Sequence, residues 1–166
     1  MMMDSLDALS RRLRVLEDRE AIRDLIANYG PLADTGNAPA IAALWTDEGV
    51  YEVVGFAQAR GYDAITALIE GPVHQALLTA GCAHVLGPVA VTLEGDRATA
   101  RGHSVVFRNG ADGFEADRVS ANRWTLVRTA GGEYGGWRVV HRTNALLDGN
   151  AAARILLAPL ADHPAS

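Results

Sequence analysis

The sequence contains little cysteine, no long apolar run and no excess of basic residues. Its one cysteine, Cys82, excludes an internal disulfide and a cysteine-rich metal site. No segment approaches the ~18 uninterrupted apolar residues typical of a membrane-spanning helix, so we expect no membrane partner. A formal net charge of −5, without a lysine- or arginine-rich run, argues against a nucleic-acid partner.

Targeting and cofactor-binding signals are also missing. The first residues form neither the basic nor the apolar region of a secretory signal peptide, and we expect a cytoplasmic protein. Without a glycine-rich dinucleotide loop or a phosphate-binding loop, we expect no cofactor. The composition, 49% hydrophobic and 21% charged over 166 residues, suits one globular domain. We predict a single domain over residues 1–166, with its core at about 15–147 and an apolar C-terminal tail at 148–166.

The first part of the chain has the periodicity of helices. Apolar residues recur every three or four positions over residues 6–16 and again, in a different phase, over residues 22–29. This pattern predicts either two helices or one long helix, kinked or ended by Pro31. Asn37 is expected to cap a short helix that runs to about Trp45.

The rest of the chain changes from helices to strands. A further helix is predicted over residues 64–70, with Asp63 as its cap. Gly95-Asp96 is the signal of a tight hairpin turn. Helices first and antiparallel strands afterwards predict an α+β fold, with helices packed on one face of a curved sheet. The predicted strands span residues 50–54, 82–94, 97–108, 117–129 and 136–147.

Two strand histidines are the first candidate functional residues. His84 lies in an otherwise apolar strand, and His103 lies on the strand that returns after the hairpin. Strand alternation places His103 on one face with Val105 and Phe107, which we expect to be directed to the core. Taken alone, a strand histidine is more often a structural residue than a catalyst. Asp34, likewise, is by itself a turn residue in front of Thr-Gly-Asn.

The last two predicted strands carry polar residues that we expect to line a pocket. On the first of them, one face is expected to point inward, and buried polar groups there need partners or a cavity. That face consists of Ser120, Asn122, Trp124 and Leu126. On the final strand, alternation puts Trp137, Val139, His141 and Thr143 on one face, and Arg138, Val140, Arg142 and Asn144 on the other.

Several segments of the chain resemble SnoaL-like domains of the nuclear transport factor 2-like superfamily. The resemblance lies in residues 20–29, 34–37, 43–51, 61–65, 95–100 and 136–142. It implies a cone-shaped α+β barrel, in which a curved, mostly antiparallel sheet wraps around the N-terminal helices. Because this fold hosts enzymes and non-enzymes alike, the fold alone does not imply an activity.

The polar positions resemble the branch of scytalone dehydratase, the bile-acid dehydratases and lindane dehydrochlorinase. That resemblance implies an Asp34–His84 dyad, with His103 and Tyr29 as further catalytic residues. It also implies substrate contacts from Tyr51, Ser120, Asn122 and Arg142. Trp124, on the same strand face as Ser120 and Asn122, is expected to contact the substrate as well. The chain departs from the scytalone type at Ala33, where those proteins have a tyrosine.

The hypothesis from the sequence is a cofactor-independent lyase. His84, held by Asp34, removes a carbon-bound proton from a small hydrophobic or polycyclic substrate, and water or another group leaves. His103, with Tyr29 or Tyr51, either protonates the departing hydroxyl or polarises the carbonyl. An isomerase or cyclase begins with the same step, and a non-catalytic ligand-binding domain needs only the cavity. The two histidines and the carboxylate could also bind a metal, which we rank lower because Asp34 already engages His84.

The apolar tail and the exposed sheet predict a homo-oligomer. The tail is expected to cover a sheet edge or to dock on a neighbouring subunit. By the resemblance, trimers occur among the dehydratase-like relatives and dimers elsewhere in the superfamily. We favour a trimer.

Overall fold

The N-terminal helix is the longest element of the fold. The computed structural model describes residues 2–159, and it shows one helix, α1 (Met2–Asp34), of 33 residues. Of the two predicted arrangements, the single helix is therefore observed, and Pro31 lies inside it. Gly30 precedes this proline and has no Cβ to clash with the proline ring, so the helix continues to Asp34.

The shorter helices differ from the prediction at their ends. Asn37 caps the second helix, as predicted, by accepting a hydrogen bond from the backbone nitrogen of Ala40. This helix ends before Trp45, which already belongs to a strand. The predicted cap at Asp63 is wrong, because that helix starts at Gly61 and Asp63 lies in its first turn. The helices are α2 (Ala38–Ala42), α3 (Gly61–Glu70), α4 (Pro72–Ala80) and α5 (Ala151–Leu157).

Seven strands form one curved, unclosed sheet of mixed direction. They are β1 (Trp45–Val53), β2 (Ala57–Arg60), β3 (Cys82–Leu86), β4 (Ala90–Glu94), β5 (Arg97–Gly110), β6 (Gly113–Arg128) and β7 (Trp137–Leu146). The order is β2-β1-β7-β6-β5-β3, and β4 pairs with the other half of the same edge of β5. Only β1 and β7 run parallel. The predicted α+β class is confirmed; β2 was not predicted.

The concave face of the sheet and the buried face of α1 enclose the core. Helix residues from Ile22 to Tyr29 pack there against Trp124 and Trp137. Asp18 connects the helix to the sheet, since it accepts a hydrogen bond from the Trp137 indole and forms an ion pair with Arg128. Among the described residues, no helix is long and apolar enough to cross a membrane.

The predicted tail is helical where it is described. Helix α5 packs its Ala153 on the outer face of β6 and β7, against Ala121 and Ala145. Arg123 closes the end of this helix by donating to carbonyl oxygens at its C-terminus. Cations are favoured at that end because the helix carbonyls there have no helical partners. The rest of the predicted tail, residues 160–166, lies outside the described residues.

A bulge in β7 changes which side chains face inward. Thr125 of β6 pairs with His141 and Leu126 pairs with Val139, so Val140 has no partner. One extra residue reverses the alternation of faces along a strand. The predicted faces of β7 are therefore wrong after this point. Trp137, Val139, Arg142 and Asn144 are all buried on the concave side.

Candidate active site

Asp34 and His84 form a hydrogen-bonded pair at the end of α1. The Nδ1 atom of His84 lies 2.7 Å from Oδ1 of Asp34. The backbone N–H of His84 also points at this carboxylate, 3.0 Å from each oxygen. The carboxylate thus fixes both the main chain and the ring of the same residue.

Gly30 allows the close approach of helix and strand that creates this pair. A Cβ atom at position 30 would stand 2.2 Å from the carbonyl oxygen of His84, well inside van der Waals contact. One turn later, Asp34 reaches the backbone of β3. The glycine therefore has a packing role that positions the carboxylate.

The pair leaves His84 able to act as a base. A carboxylate only accepts hydrogen bonds, so Nδ1 of His84 carries the proton and Nε2 is the basic atom. Burial lowers the pKa of His84 from its ordinary value of 6.5; Asp34 opposes this shift, and His74 and Arg142 add to it. The imidazole is therefore neutral at pH 7.

A cavity of about 410 Å³ opens beside the imidazole, between the sheet and helices α1, α3 and α4. This volume lies within the range of roughly 300–1,000 Å³ typical of small-molecule sites. Its walls are largely apolar and include several polar groups. The polar residues in its lining include Tyr29, Tyr51, His74, His84, Ser104 and Arg142.

A buried arginine and two tyrosines form one end of the cavity. Arg142 is 2% exposed, and its guanidinium carbon lies 4.1 Å, 4.7 Å and 4.2 Å from the ring centres of Tyr29, Tyr51 and Trp124. Such aromatic faces stabilise a cation. The hydroxyl of Tyr29 donates to that of Tyr51 over 3.3 Å. Burial and the neighbouring Tyr51 raise the pKa of Tyr29, and Arg142 opposes the shift.

Not all predicted site residues reach the cavity. His103 is exposed on the convex face, so its predicted inward orientation is wrong. Ser120, Asn122 and Trp124 face inward as predicted, but they lie beneath the residues that line the cavity. Asp34 does not line the cavity either, and it acts there through its hydrogen bond to His84.

Sequence reasoning missed several cavity residues, His74 and Ser104 among them. His74 lies with its ring centre 5.3 Å from that of His84, and its Nε2 contacts the carbonyl oxygen of Ala33 at 2.9 Å. A carbonyl oxygen only accepts, so Nε2 of His74 is the protonated atom. This bond holds the last turn of α1 directly before Asp34. In the sequence, His74 was only a polar residue in a short amphipathic helix.

The pair and Cys82 together have the spacing of metal ligands. The ligand atoms of Asp34, Cys82 and His84 lie within 4.8 Å of one another. They already contact each other, because the Asp34 carboxylate accepts from the imidazole and, over 3.7 Å, from the thiol. Burial and the carboxylate raise the pKa of Cys82, which disfavours the thiolate that binds metals. A metal would have to displace this arrangement.

The curved sheet with helices in its concave face is a nuclear transport factor 2-like fold. A crystal structure of a protein of this fold from Novosphingobium aromaticivorans is 61% identical in sequence. It superposes with a TM-score of 0.89, and the match covers 95% of this chain and 99% of that one. The chain belongs to the family of SnoaL-like domains, whose family model matches residues 14–143. The predicted family is thereby confirmed.

More distant structures share the fold alone. A protein of unknown function from Mycobacterium tuberculosis is 22% identical, with a TM-score of 0.68 over 93% of this chain and 97% of that one. ActVI-ORFA from Streptomyces coelicolor is 21% identical, with a TM-score of 0.67 over 79% of this chain and 98% of that one. No curated protein matches the chain.

Proposed function

We propose that this chain is a cofactor-independent lyase of the dehydratase type, with His84 as its general base. The observation that carries the proposal is the 2.7 Å contact between His84 and Asp34 at the wall of a largely apolar cavity. Nε2 of His84 accepts a proton from a carbon next to a carbonyl group, and Asp34 stabilises the imidazolium that forms.

Tyr51 is the proton donor of the proposed elimination. Tyr29 gives its own hydroxyl proton to the oxygen of Tyr51, so the proton of Tyr51 is free to reach the leaving group. The C–H electrons first move towards the carbonyl oxygen as an enolate. They then form the new double bond while the C–O bond breaks, and the departing hydroxide takes this proton. The proton held by His84 then returns to the tyrosinate. Arg142, under both rings, stabilises the negative charge in between.

The substrate is a small hydrophobic or polycyclic carbonyl compound. The cavity has the volume of a site for such a molecule, and most of its wall is aliphatic or aromatic. Isomerisation or cyclisation begins with the same proton removal, and product analysis separates these reactions from elimination. A ligand-binding domain without catalysis would show no proton removal at all.

Exchange of carbon-bound hydrogen tests this proposal without knowledge of the natural substrate. Hydroxylated cyclic ketones are incubated with the protein in D₂O, and deuterium incorporation and loss of water are followed by NMR and mass spectrometry. We expect exchange that is slower by about 10²-fold or more in His84→Ala, since a positioned base contributes about 10²–10⁴-fold. Equal exchange by both proteins would show that His84 is not the base.

A further inference from the structure

Ser104 is a buried cavity residue that the proposed proton removal does not use. It is 7% exposed and lies on β5, paired with Leu86 of β3 on one side and Ser120 of β6 on the other. Its hydroxyl is the last member of a chain of hydrogen bonds that begins at two arginines. The direction of every bond in that chain follows from the chemistry of the groups.

Arg142 determines the orientation of the Asn122 amide. The arginine donates from Nε and Nη2, at 3.1 Å and 2.9 Å, to Oδ1 of Asn122. Guanidinium groups have no acceptor, so the amide oxygen must be on this side. The amide nitrogen of Asn122 therefore faces Ser104, and it donates to Oγ at 2.8 Å.

Arg118 adds a second donor path to the same amide. It donates from Nε and Nη2, at 3.1 Å and 2.8 Å, to Oδ1 of Asn144, whose Nδ2 donates to Asn122 Oδ1 at 2.9 Å. Among the described residues, neither Arg118 nor Arg142 makes a salt bridge. Asp117 still attracts Arg118 electrostatically. Two cations thus polarise one amide, Arg142 directly and Arg118 through Asn144, and the polarisation passes to the bond with Ser104.

This network leaves the proton of Ser104 for the cavity. The hydroxyl oxygen accepts from Asn122, and over residues 5–159 the hydroxyl donates no hydrogen bond to the protein. Ser104 also lines the cavity that His84 lines. A hydroxyl whose oxygen accepts from a polarised amide is a stronger donor than one whose oxygen accepts no hydrogen bond.

We propose that Ser104 binds the oxygen atom on which negative charge develops, so that the cavity selects substrates with a carbonyl or phenolic oxygen. This inference rests on the proposed function. When His84 removes the proton, the substrate oxygen receives the electrons, and Ser104 is the side chain that binds this oxygen. Ser104 thus binds the enolate oxygen, while His84 works at the adjacent carbon.

Binding of 2-naphthol and naphthalene tests the inference separately from catalysis. The two probes have nearly the same shape, but only 2-naphthol has an oxygen that can carry charge. We expect the protein to bind 2-naphthol more tightly and to favour its ionised form, as followed by absorbance and calorimetry. Ser104→Ala should weaken 2-naphthol binding by roughly ten- to a hundred-fold, the effect of a hydrogen bond to a charged group, and leave naphthalene binding unchanged.

Ser120→Ala is the matched control. Ser120 pairs with Ser104 across the strands, and its replacement removes the same atom. Its Oγ is buried, has no hydrogen-bond partner among the described residues and does not line the cavity. It should bind both probes like the parent protein, and Ser104→Thr, which keeps the hydroxyl, should restore most of the affinity. Equal losses in both alanine variants, or equal losses for both probes, would overturn the role of Ser104. Deuterium exchange without this selectivity would overturn this inference alone, while selective binding without exchange would overturn only the proposed function.

The N-terminal part of α1 carries a second, independent inference. Residues 5–16 project from the body, since the first described hydrogen bond between this helix and the sheet is at Asp18. At ~1.5 Å per residue this part is about 18 Å long. An isolated helix of about 12 residues is marginally stable in water. Four leucines on it are 53–63% exposed: Leu6, Leu9, Leu13 and Leu16.

The leucine spacing and the flanking charges fit a second copy of the same chain. Steps of three, four and three residues are those of the a and d positions of two heptads. In that register Arg12 is at a g position and Glu17 is at the next e position. In a parallel pair, Arg12 of each copy faces Glu17 of the other, whereas an antiparallel pair does not bring these charges together. We infer that two copies pair in parallel through residues 6–16.

Sedimentation of charge variants tests this pairing. We expect a dimer at micromolar concentration that Leu13→Glu dissociates without loss of folded structure. Arg12→Glu alone and Glu17→Arg alone should each weaken the dimer, and the two together should restore it. A monomeric parent protein, or an oligomer that persists in Leu13→Glu, would overturn the inference. Failure of the double variant to restore the dimer would overturn the parallel arrangement.

Discussion

Replacing Asp34 by asparagine removes a charge but almost no volume, and it should reverse the tautomer of His84. In the structure, Oδ1 accepts from Nδ1 at 2.7 Å, and both oxygens lie 3.0 Å from the backbone nitrogen of His84. The amide of Asp34→Asn has one acceptor oxygen where the carboxylate has two, and at the Oδ2 position this oxygen still accepts from the backbone N–H. Its NH₂ group then donates to Nδ1, and the proton of the ring moves to Nε2, where it blocks proton removal from the substrate.

The expected effect on the rate is large. Loss of a positioned base corresponds to about 10²–10⁴-fold in kcat, or roughly 3–5 kcal/mol in the activation free energy. The anion of Asp34 also raises the pKa of His84 against the effect of burial. The residual activity of Asp34→Asn should therefore fall off at lower pH than that of the parent protein. The assay is deuterium exchange into a hydroxylated ketone, measured between pH 4 and 8.

Cys82→Ser is the matched control for this variant. Cys82 contacts the same carboxylate oxygen at 3.7 Å, but it does not line the cavity. Its replacement should change the exchange rate less than about threefold and leave the pH profile in place. If Asp34→Asn retained the parent rate and pH profile, the carboxylate would not control the imidazole, and the proposed dyad would be refuted.

Three further predictions concern the same pair. The base must be neutral and burial lowers the pKa of His84, so exchange should be constant from pH 8 to about 6.5, the ordinary histidine pKa, and fall only in more acidic solution. His74 contributes to this lowered pKa, so His74→Phe should move the fall to higher pH; an unchanged profile would contradict that electrostatic contribution. Gly30→Ala should lower the free energy of unfolding by roughly 1–3 kcal/mol and slow the deuterium exchange, because its Cβ would stand 2.2 Å from the carbonyl oxygen of His84. Full stability and full activity in this variant would show that helix and strand separate without cost.

The fold was predictable because its signals are local and agree with one another. The helical periodicity, the Asn37 cap and the Gly95-Asp96 turn are each properties of a few adjacent residues. The class of the fold follows from their order along the chain. The ends of elements were less predictable. The second helix was expected to run to about Trp45, but Trp45 is the first residue of β1.

The candidate site was predictable only in part. Asp34 and His84 are 50 residues apart, and their pairing came from resemblance and not from any local pattern. The error at His103 was avoidable: Arg97, Thr99 and Arg101 occupy the same face of β5, and a face with so many polar residues is a solvated one. The buried positions of that strand are the alternate ones, including Ser104. The network that gives Ser104 its role connects three strands, so no sequence window contains it.

The bulge at Val140 absorbs one residue of β7 and so decides which later side chains reach the cavity. Val139 pairs with Leu126 and His141 pairs with Thr125, so a chain that lacked Val140 would keep both pairings and lose only the bulge. Arg142 and Asn144 would still face the cavity. A strand that kept Val140 but paired without a bulge would instead turn His141 and Thr143 inward and would replace the buried cation by an imidazole. The chemistry of this site therefore depends on the pairing register of β7 as well as on the residues that the strand contains.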